Sequence, residues 1–334
     1  MIKAYAASAP GADLKAFEYE PGPLLPDQVE ITVEYCGICH SDVSMLDNEW
    51  GMTRYPFVPG HEVVGRIAAV GQNVKHLQPG QRVGLGWHAG YCQVCPACMG
   101  GDHNLCASAV GTIVGRHGGF AEHVRAQASA VVRLPDELDV ESAGPLFCAG
   151  ITVFNPLVQF DVSPLAKVGV IGIGGLGHLA VQFLRAWGCE VVAFTSSEAK
   201  TQEALTLGAH RTLNSRDPAA LKKAASSFDF LISTVNVKLD WNAYLETLKP
   251  RGRLHFVGAT LEPLDLGVFS LLSGQRSVSG SPVGSPATIA QMLDFAVRHD
   301  IRPHVEVFPM SQVNEALARV RSGQARYRVV LRRD

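Results

Sequence analysis

Between Val29 and Tyr35 apolar and polar residues alternate strictly, with Val29, Ile31, Val33 and Tyr35 on one side and Glu30, Thr32 and Glu34 on the other. A period of two predicts a strand with one buried face. VVGRIAAVG (63–71) is a second β-type run, and Pro21-Gly22-Pro23, Pro59-Gly60 and Pro79-Gly80 supply turn signals around both. The first part of the chain therefore reads as an irregular all-β region. From Val168 the pattern changes. VGVIGI is a short buried strand, and 176–188 is a helix ending in glycine. EVVAFT, FDFLIST and GRLHFVG are further strands, with helices predicted over 197–209 and 241–249. Strand alternating with helix predicts an α/β domain with a doubly wound parallel sheet. The pattern breaks again near 283–286, and two helical runs (288–299 and 311–322) and a strand, YRVVL, close the chain. The expected division is 1–149 with 284–334 as one domain and 150–283 as the other.

Composition narrows this picture. The 334 residues are 47% hydrophobic with a formal net charge of −2. That length suits two domains of ordinary size, and the balance gives no basic surface for nucleic acid. The stretch 168–184 is nearly apolar enough to suggest a membrane span, but its clustered glycines argue for strand, turn and helix. The opening MIKAYAAS lacks the pattern of a signal peptide, so the expected location is cytoplasmic, without a membrane.

Gly172-Ile173-Gly174-Gly175-Leu176-Gly177 fits G-x-G-x-x-G and lies where that motif carries meaning, after a strand and opening a helix. The first glycine makes the turn, the second admits a pyrophosphate to the backbone, and the third packs helix on sheet. A Rossmann dinucleotide site is expected. The acidic residue that would hold a ribose 2′-hydroxyl is missing from the end of the second strand. Thr195, Ser196 and Ser197 stand there, with Lys200 one turn on. Hydroxyls and an ammonium suit a 2′-phosphate and favour NADP(H) over NAD, although Glu198 opposes it.

Cys92, Cys95, Cys98 and Cys106 form Cys-x2-Cys-x2-Cys-x7-Cys in a segment with little apolar content of its own. In a chain without a secretory signal this spacing points to a metal, zinc or an iron–sulfur cluster, rather than a disulfide knot. Four thiolates saturate a tetrahedral ion, so such a centre is structural. An open catalytic site needs other ligands. Candidates lie in Cys-Gly-Ile-Cys-His-Ser-Asp (36–42), Gly-His-Glu (60–62) and Leu-Phe-Cys-Ala-Gly-Ile-Thr (146–152). Each is weak alone, and Cys36 with Cys39 also fits a redox Cys-x-x-Cys.

Taken together and in this order, these segments resemble the zinc-dependent medium-chain alcohol dehydrogenases over essentially the whole chain, most closely the cinnamyl-alcohol-dehydrogenase branch. The resemblance implies a GroES-like catalytic domain, two Zn2+ per chain, NADP(H), and a homo-oligomer, dimer or tetramer. It implies zinc ligands at Cys39, His61 and Cys148, with Glu62 as a nearby carboxylate able to approach the metal. Asp42 matches the acid that holds the zinc histidine, Ser41 the hydroxyl that takes the substrate proton, and Thr152 a position beside the nicotinamide. Arg328 matches an arginine that contacts the pyrophosphate, and His40 a basic position near the phosphates. Trp50, Trp87 and Phe57 are implied candidates for the substrate pocket.

One departure stands out. Where relatives often carry a histidine three residues after the hydroxyl, this chain has Ser44, which can pass a proton but cannot store one near neutral pH. The expected reaction interconverts primary alcohols and aldehydes, with aromatic, cinnamyl or medium aliphatic substrates. The competing readings are an NAD-dependent polyol or secondary-alcohol dehydrogenase of the same superfamily, a quinone reductase of the same fold without zinc, and a non-catalytic zinc-stapled nucleotide-binding protein.

Overall fold

Strand Gln28–Ile38 is the spine of the first unit; Val29, Ile31 and Val33 are fully buried as the alternation predicts, whereas Tyr35 is only half-buried because the pairing with the next strand shifts between Val33 and Tyr35. The structure, a computed structural model, describes residues 1–196 and 198–334, the side chains of Glu198 and Ala199 apart. The chain divides into two units, residues 1–151 with 283–334 and residues 152–282.

In the first unit a seven-stranded sheet runs in the order Val305–Pro309, Arg328–Arg332, Gln28–Ile38, Glu62–Val70, Arg82–Leu85, Val131–Arg133, with His123–Gln127 also pairing with Gln28–Ile38. Only the outermost pair, Val305–Pro309 with Arg328–Arg332, is parallel. The register sets Glu62 opposite Gly37 and Val329 opposite Ile38, which brings Glu62 and Arg328 to the same end of the spine strand as Cys39. The core beneath this sheet contains Ile31, Val33, Ile67, Leu85, Phe57 and Phe120.

The second unit is a six-stranded parallel sheet in the order Arg211–Asn214, Glu190–Thr195, Lys167–Ile171, Phe228–Ser233, Leu248–Phe256, Ser277–Gly280. Numbered along the unit this is 3-2-1-4-5-6, the strand order of dinucleotide-binding folds. Helix Gly177–Trp187 follows the first strand and ends at Gly188, whose φ of +108° only glycine adopts freely. Helix Trp241–Glu246 is shorter than its sequence pattern. Lys249 precedes Pro250, a position biased against helix, and the chain turns directly into strand Leu248–Phe256. Helix Ala149–Gln159 carries the chain across the division at Ile151 and Thr152.

Candidate active site

The short helix His40–Leu46 begins at Cys39, and Asp42 in its first turn organises what surrounds it. Asp42 Oδ2 accepts the Cys39 backbone N–H at 2.9 Å, while Oδ1 accepts the Gly60 N–H at 2.8 Å and lies 3.0 Å from His61 Nδ1. One carboxylate thus joins two segments that are far apart in sequence. With Nδ1 donating to Asp42, the His61 ring presents Nε2, which lies 3.2 Å from Cys148 Sγ. Cys148 Sγ is in turn 3.8 Å from Cys39 Sγ, and one ligand atom from each of Cys39, His61, Glu62 and Cys148 falls within 4.8 Å of the others.

The electrostatics of this group call for a cation. Cys148 and Cys39 hydrogen-bond, which holds the Cys39 thiol well below its usual range and pushes Cys148 well above. Two buried thiols this close do not both ionise unless positive charge stands between them. Burial would depress His61, but Asp42 and Cys39 outweigh it and raise its pKa well above the usual value. Burial raises Glu62 to about 7 against the opposing charge of Arg328. Zinc–sulfur bonds of about 2.3 Å in a tetrahedron place sulfurs roughly 3.8 Å apart. The Cys39–Cys148 separation is 3.8 Å, so the donor set fits zinc in chemistry and in spacing.

The neighbours of the set differ in placement. Ser41 Oγ is 3.7 Å from Cys39 Sγ, and Ser44 is buried in the same helix. The Trp87 ring meets His61 edge-on at 5.1 Å and Trp50 at 5.9 Å. Phe57 belongs elsewhere. It is 2% exposed, packs in the core against Tyr55, and its backbone bridges to Ala7. Arg328 is buried, and its Nη2 donates to the Ile38 carbonyl and to Glu62 Oε1. Glu62 Oε2 and Arg328 Nε are buried without hydrogen-bond partners among the described residues. His40 is exposed at the helix start, and Thr152 is buried in helix Ala149–Gln159.

The second cysteine group forms a separate centre. Cys92 Sγ lies 3.9 Å from Cys98 Sγ and 3.5 Å from Cys106 Sγ, and the four thiols, Cys95 included, lie within 4.8 Å of one another. Backbone N–H groups lower the Cys92 pKa to about 6, and burial pushes Cys98 up. These sulfur spacings likewise suit a tetrahedral ion.

In the second unit Gly172 turns the chain with a φ of +91°. A Cβ on Gly177 would stand 1.9 Å from the Gly172 carbonyl oxygen, whereas a Cβ on Gly174 would meet nothing within 4 Å. The loop is therefore tight at the helix and open at Gly174, a cradle suited to a phosphate group; Gly175 and Leu176 complete it. Strand pairing sets Ile171 beside Phe194, and Ser196 lies just past the end of strand Glu190–Thr195. Lys200 lies in helix Glu198–Thr206, and Ser197 lies outside the described residues. Thr234, not singled out in the sequence, donates to the Gly172 and Ile171 carbonyls at 2.9 and 3.0 Å and pins the turn. The buried ring of His178 lies 3.1 Å from the Gly174 carbonyl. A hydroxyl at the end of the neighbouring strand was the available signal for Thr234.

A family model described as "Alcohol dehydrogenase GroES-like domain" matches residues 25–136, and one described as "Zinc-binding dehydrogenase" matches residues 175–298. The chain is 63% identical to the aldehyde reductase AdhA of Synechocystis over 99% of its own length and 98% of that protein's. It belongs to the zinc-dependent medium-chain alcohol dehydrogenases, in their cinnamyl-alcohol-dehydrogenase-like branch. Within that family it is 41% identical to cinnamyl alcohol dehydrogenase 7 of Arabidopsis thaliana, covering 91% of this chain and 87% of that one. A cinnamyl alcohol dehydrogenase structure from Sorghum bicolor superposes with a TM-score of 0.95 at 38% identity, covering 99% and 97% of the two chains. One from Helicobacter pylori, complexed with NADP(H), gives 0.91 at 32% identity with the same coverage. This alcohol dehydrogenase is accordingly a zinc oxidoreductase acting between alcohols and aldehydes, with small molecules as substrates. No helix among the described residues is long and apolar enough to cross a membrane.

Proposed function

We propose that the enzyme interconverts primary alcohols and aldehydes with NADP(H), favouring aromatic, cinnamyl or medium aliphatic aldehydes. The observation that carries this reading is the convergence of Cys39, His61 and Cys148 with Ser41 and a tryptophan pair beside them. Cys39, His61 and Cys148 hold one zinc, with Glu62 in reserve, and Cys92, Cys95, Cys98 and Cys106 hold a second. The first zinc supplies a Lewis acid for the substrate oxygen, and the nicotinamide supplies or accepts the hydride. Asp42 fixes the ring of His61. Ser41 passes the proton of the alcohol outward, and Ser44 hands it on by hydrogen bonding where relatives store it on histidine. Trp50 and Trp87 give the substrate an aromatic wall, a role for which the core position of Phe57 is less suited.

The glycine loop, Thr152, His40 and the unpartnered Nε of Arg328 serve the dinucleotide. Ser196, Ser197 and Lys200 select the 2′-phosphate, a reading supported by the missing carboxylate and by the NADP(H) bound in the Helicobacter pylori relative. We assign zinc chemistry to residues 1–149 with 284–334 and dinucleotide binding to 150–283. A homo-oligomer is supported by strand Ser277–Gly280, the last of its sheet, and by the exposed Val268, Phe269 and Leu272 in the preceding helix. All eight cysteines are free of disulfides, which suits a reducing, cytoplasmic compartment. Titration with NADPH and NADH over a panel of aldehydes tests the reading. A strong preference for NADH, or wild-type turnover in a Cys148→Ala variant, overturns it.

A further inference from the structure

Glu62 occupies space that a missing side chain leaves open. Gly37 faces Glu62 across the strand ladder, and a Cβ built on Gly37 would stand 2.0 Å from Glu62 Oε2 and 3.1 Å from its Cδ. A side chain at position 37 and the observed carboxylate exclude each other. The backbone does not require this glycine, because Gly37 lies in strand Gln28–Ile38 and outside the left-handed region. Gly144 near the same residue differs: its Cβ would meet the Glu62 carbonyl oxygen at 2.7 Å, so it makes room for main chain. Of these two glycines, Gly37 is the one that makes room for the carboxylate.

That carboxylate is held by one oxygen only. Oε1 accepts from Arg328, and Oε2 is buried without a hydrogen-bond partner among the described residues. A Glu62 oxygen also lies within 4.8 Å of the ligand atoms of Cys39, His61 and Cys148. A buried carboxylate oxygen with no donor is costly unless a cation takes it up.

We propose that Gly37 is a positioning residue for the metal site: by omitting a Cβ it sets how far the Arg328-anchored carboxylate of Glu62 reaches toward the three ligands, and so how firmly the site retains its ion. The inference rests on the zinc reading above. A Cβ at position 37 would meet Glu62 Oε2 most closely and its Cβ and Cδ at 3.1 Å, so Gly37→Ala should displace the carboxylate, and its far-ultraviolet circular dichroism and unchanged release from the other centre check that the variant folds. The site then keeps its three ligands and loses the fourth anion beside them.

Zinc release into an excess of a chromogenic chelator tests this. The zinc-loaded enzyme should release about two ions per chain in two phases. The phase that Cys148→Ser removes belongs to the site of Cys39 and His61. Gly37→Ala should speed that phase about tenfold and leave the other unchanged. Glu62→Gln, which keeps the shape and the acceptor for Arg328, should speed it similarly, and the double variant should release no faster than Glu62→Gln alone. An unchanged rate in Gly37→Ala, additive effects in the double variant, or equal acceleration of both phases overturns the inference. Release with no phase that depends on Cys148 overturns the zinc reading itself.

Discussion

Asp42 shows how much one side chain settles at this site. Its two oxygens fix the N-terminus of helix His40–Leu46, the Gly60 amide and the His61 ring together. Asp42→Asn keeps the shape but offers one acceptor oxygen where two receive N–H groups, and it removes the negative charge beside the His61 ring. Zinc affinity and kcat/KM should each fall about 10- to 100-fold, measured by metal competition and steady-state kinetics. Ser196 carries the other residue-scale prediction. An aspartate there would face a 2′-phosphate with like charge, a penalty of several kcal/mol. Ser196→Asp should raise the KM for NADPH at least about tenfold while sparing NADH. An unchanged cofactor ratio would remove Ser196 from the selecting set.

Among the elements, strand Leu248–Phe256 carries a titrating group. His255 is fully buried between Ser279 Oγ at 2.9 Å and Ser281 Oγ at 3.0 Å, and burial, with the charge of Arg253, lowers its pKa to about 4. The unfolded chain takes up its proton near pH 6.5, so the unfolded state binds more protons between pH 6.5 and 4. The stability this histidine contributes is present above pH 6.5 and is lost as pH falls toward 4, by up to about 3 kcal/mol. His255→Gln should flatten the acid limb of the stability curve, as read by denaturant unfolding at a series of pH values. The cysteine lobe behaves differently. Helix Pro96–Met99 is a single short turn capped by Cys95, and Met99 within it and Val94 before it stand exposed, so little besides the sulfur centre holds it. Cys95→Ser should lower the thermal midpoint first and activity only as a consequence.

At the scale of the whole molecule, the metal content and the state of association can be measured directly. About two zinc ions per chain are expected, since a saturated and an open site must both be filled. Phe269 is 82% exposed in the helix that precedes edge strand Ser277–Gly280 in sequence, and an exposed aromatic of this size can serve a contact with another copy of the chain. Phe269→Asp should lower the mass seen in sedimentation, and an unchanged mass would place the contact elsewhere.

What was legible in the sequence follows from local rules. Alternation marked the first half of strand Gln28–Ile38, where one face is buried and the other is not; beyond Tyr35 both faces are buried. The run from Lys167 to Gly188 was legible because turn, approach and helix stop each require glycine. Helix Ala149–Gln159 gave no such signal: it is buried on most sides, so its apolar residues show no face, and Pro156 sits inside it. The sequence by itself determined the sulfur cluster, the glycine loop and the strand–turn–helix unit around it, because these depend on residues near one another in the chain. The tertiary structure decided what distant segments do to each other. It set Asp42 on His61, Trp87 against the same ring, Phe57 in the core, and Arg328 with Gly37 around Glu62. Those relations depend on strand register and on space left between side chains, and neither is written in local spacing.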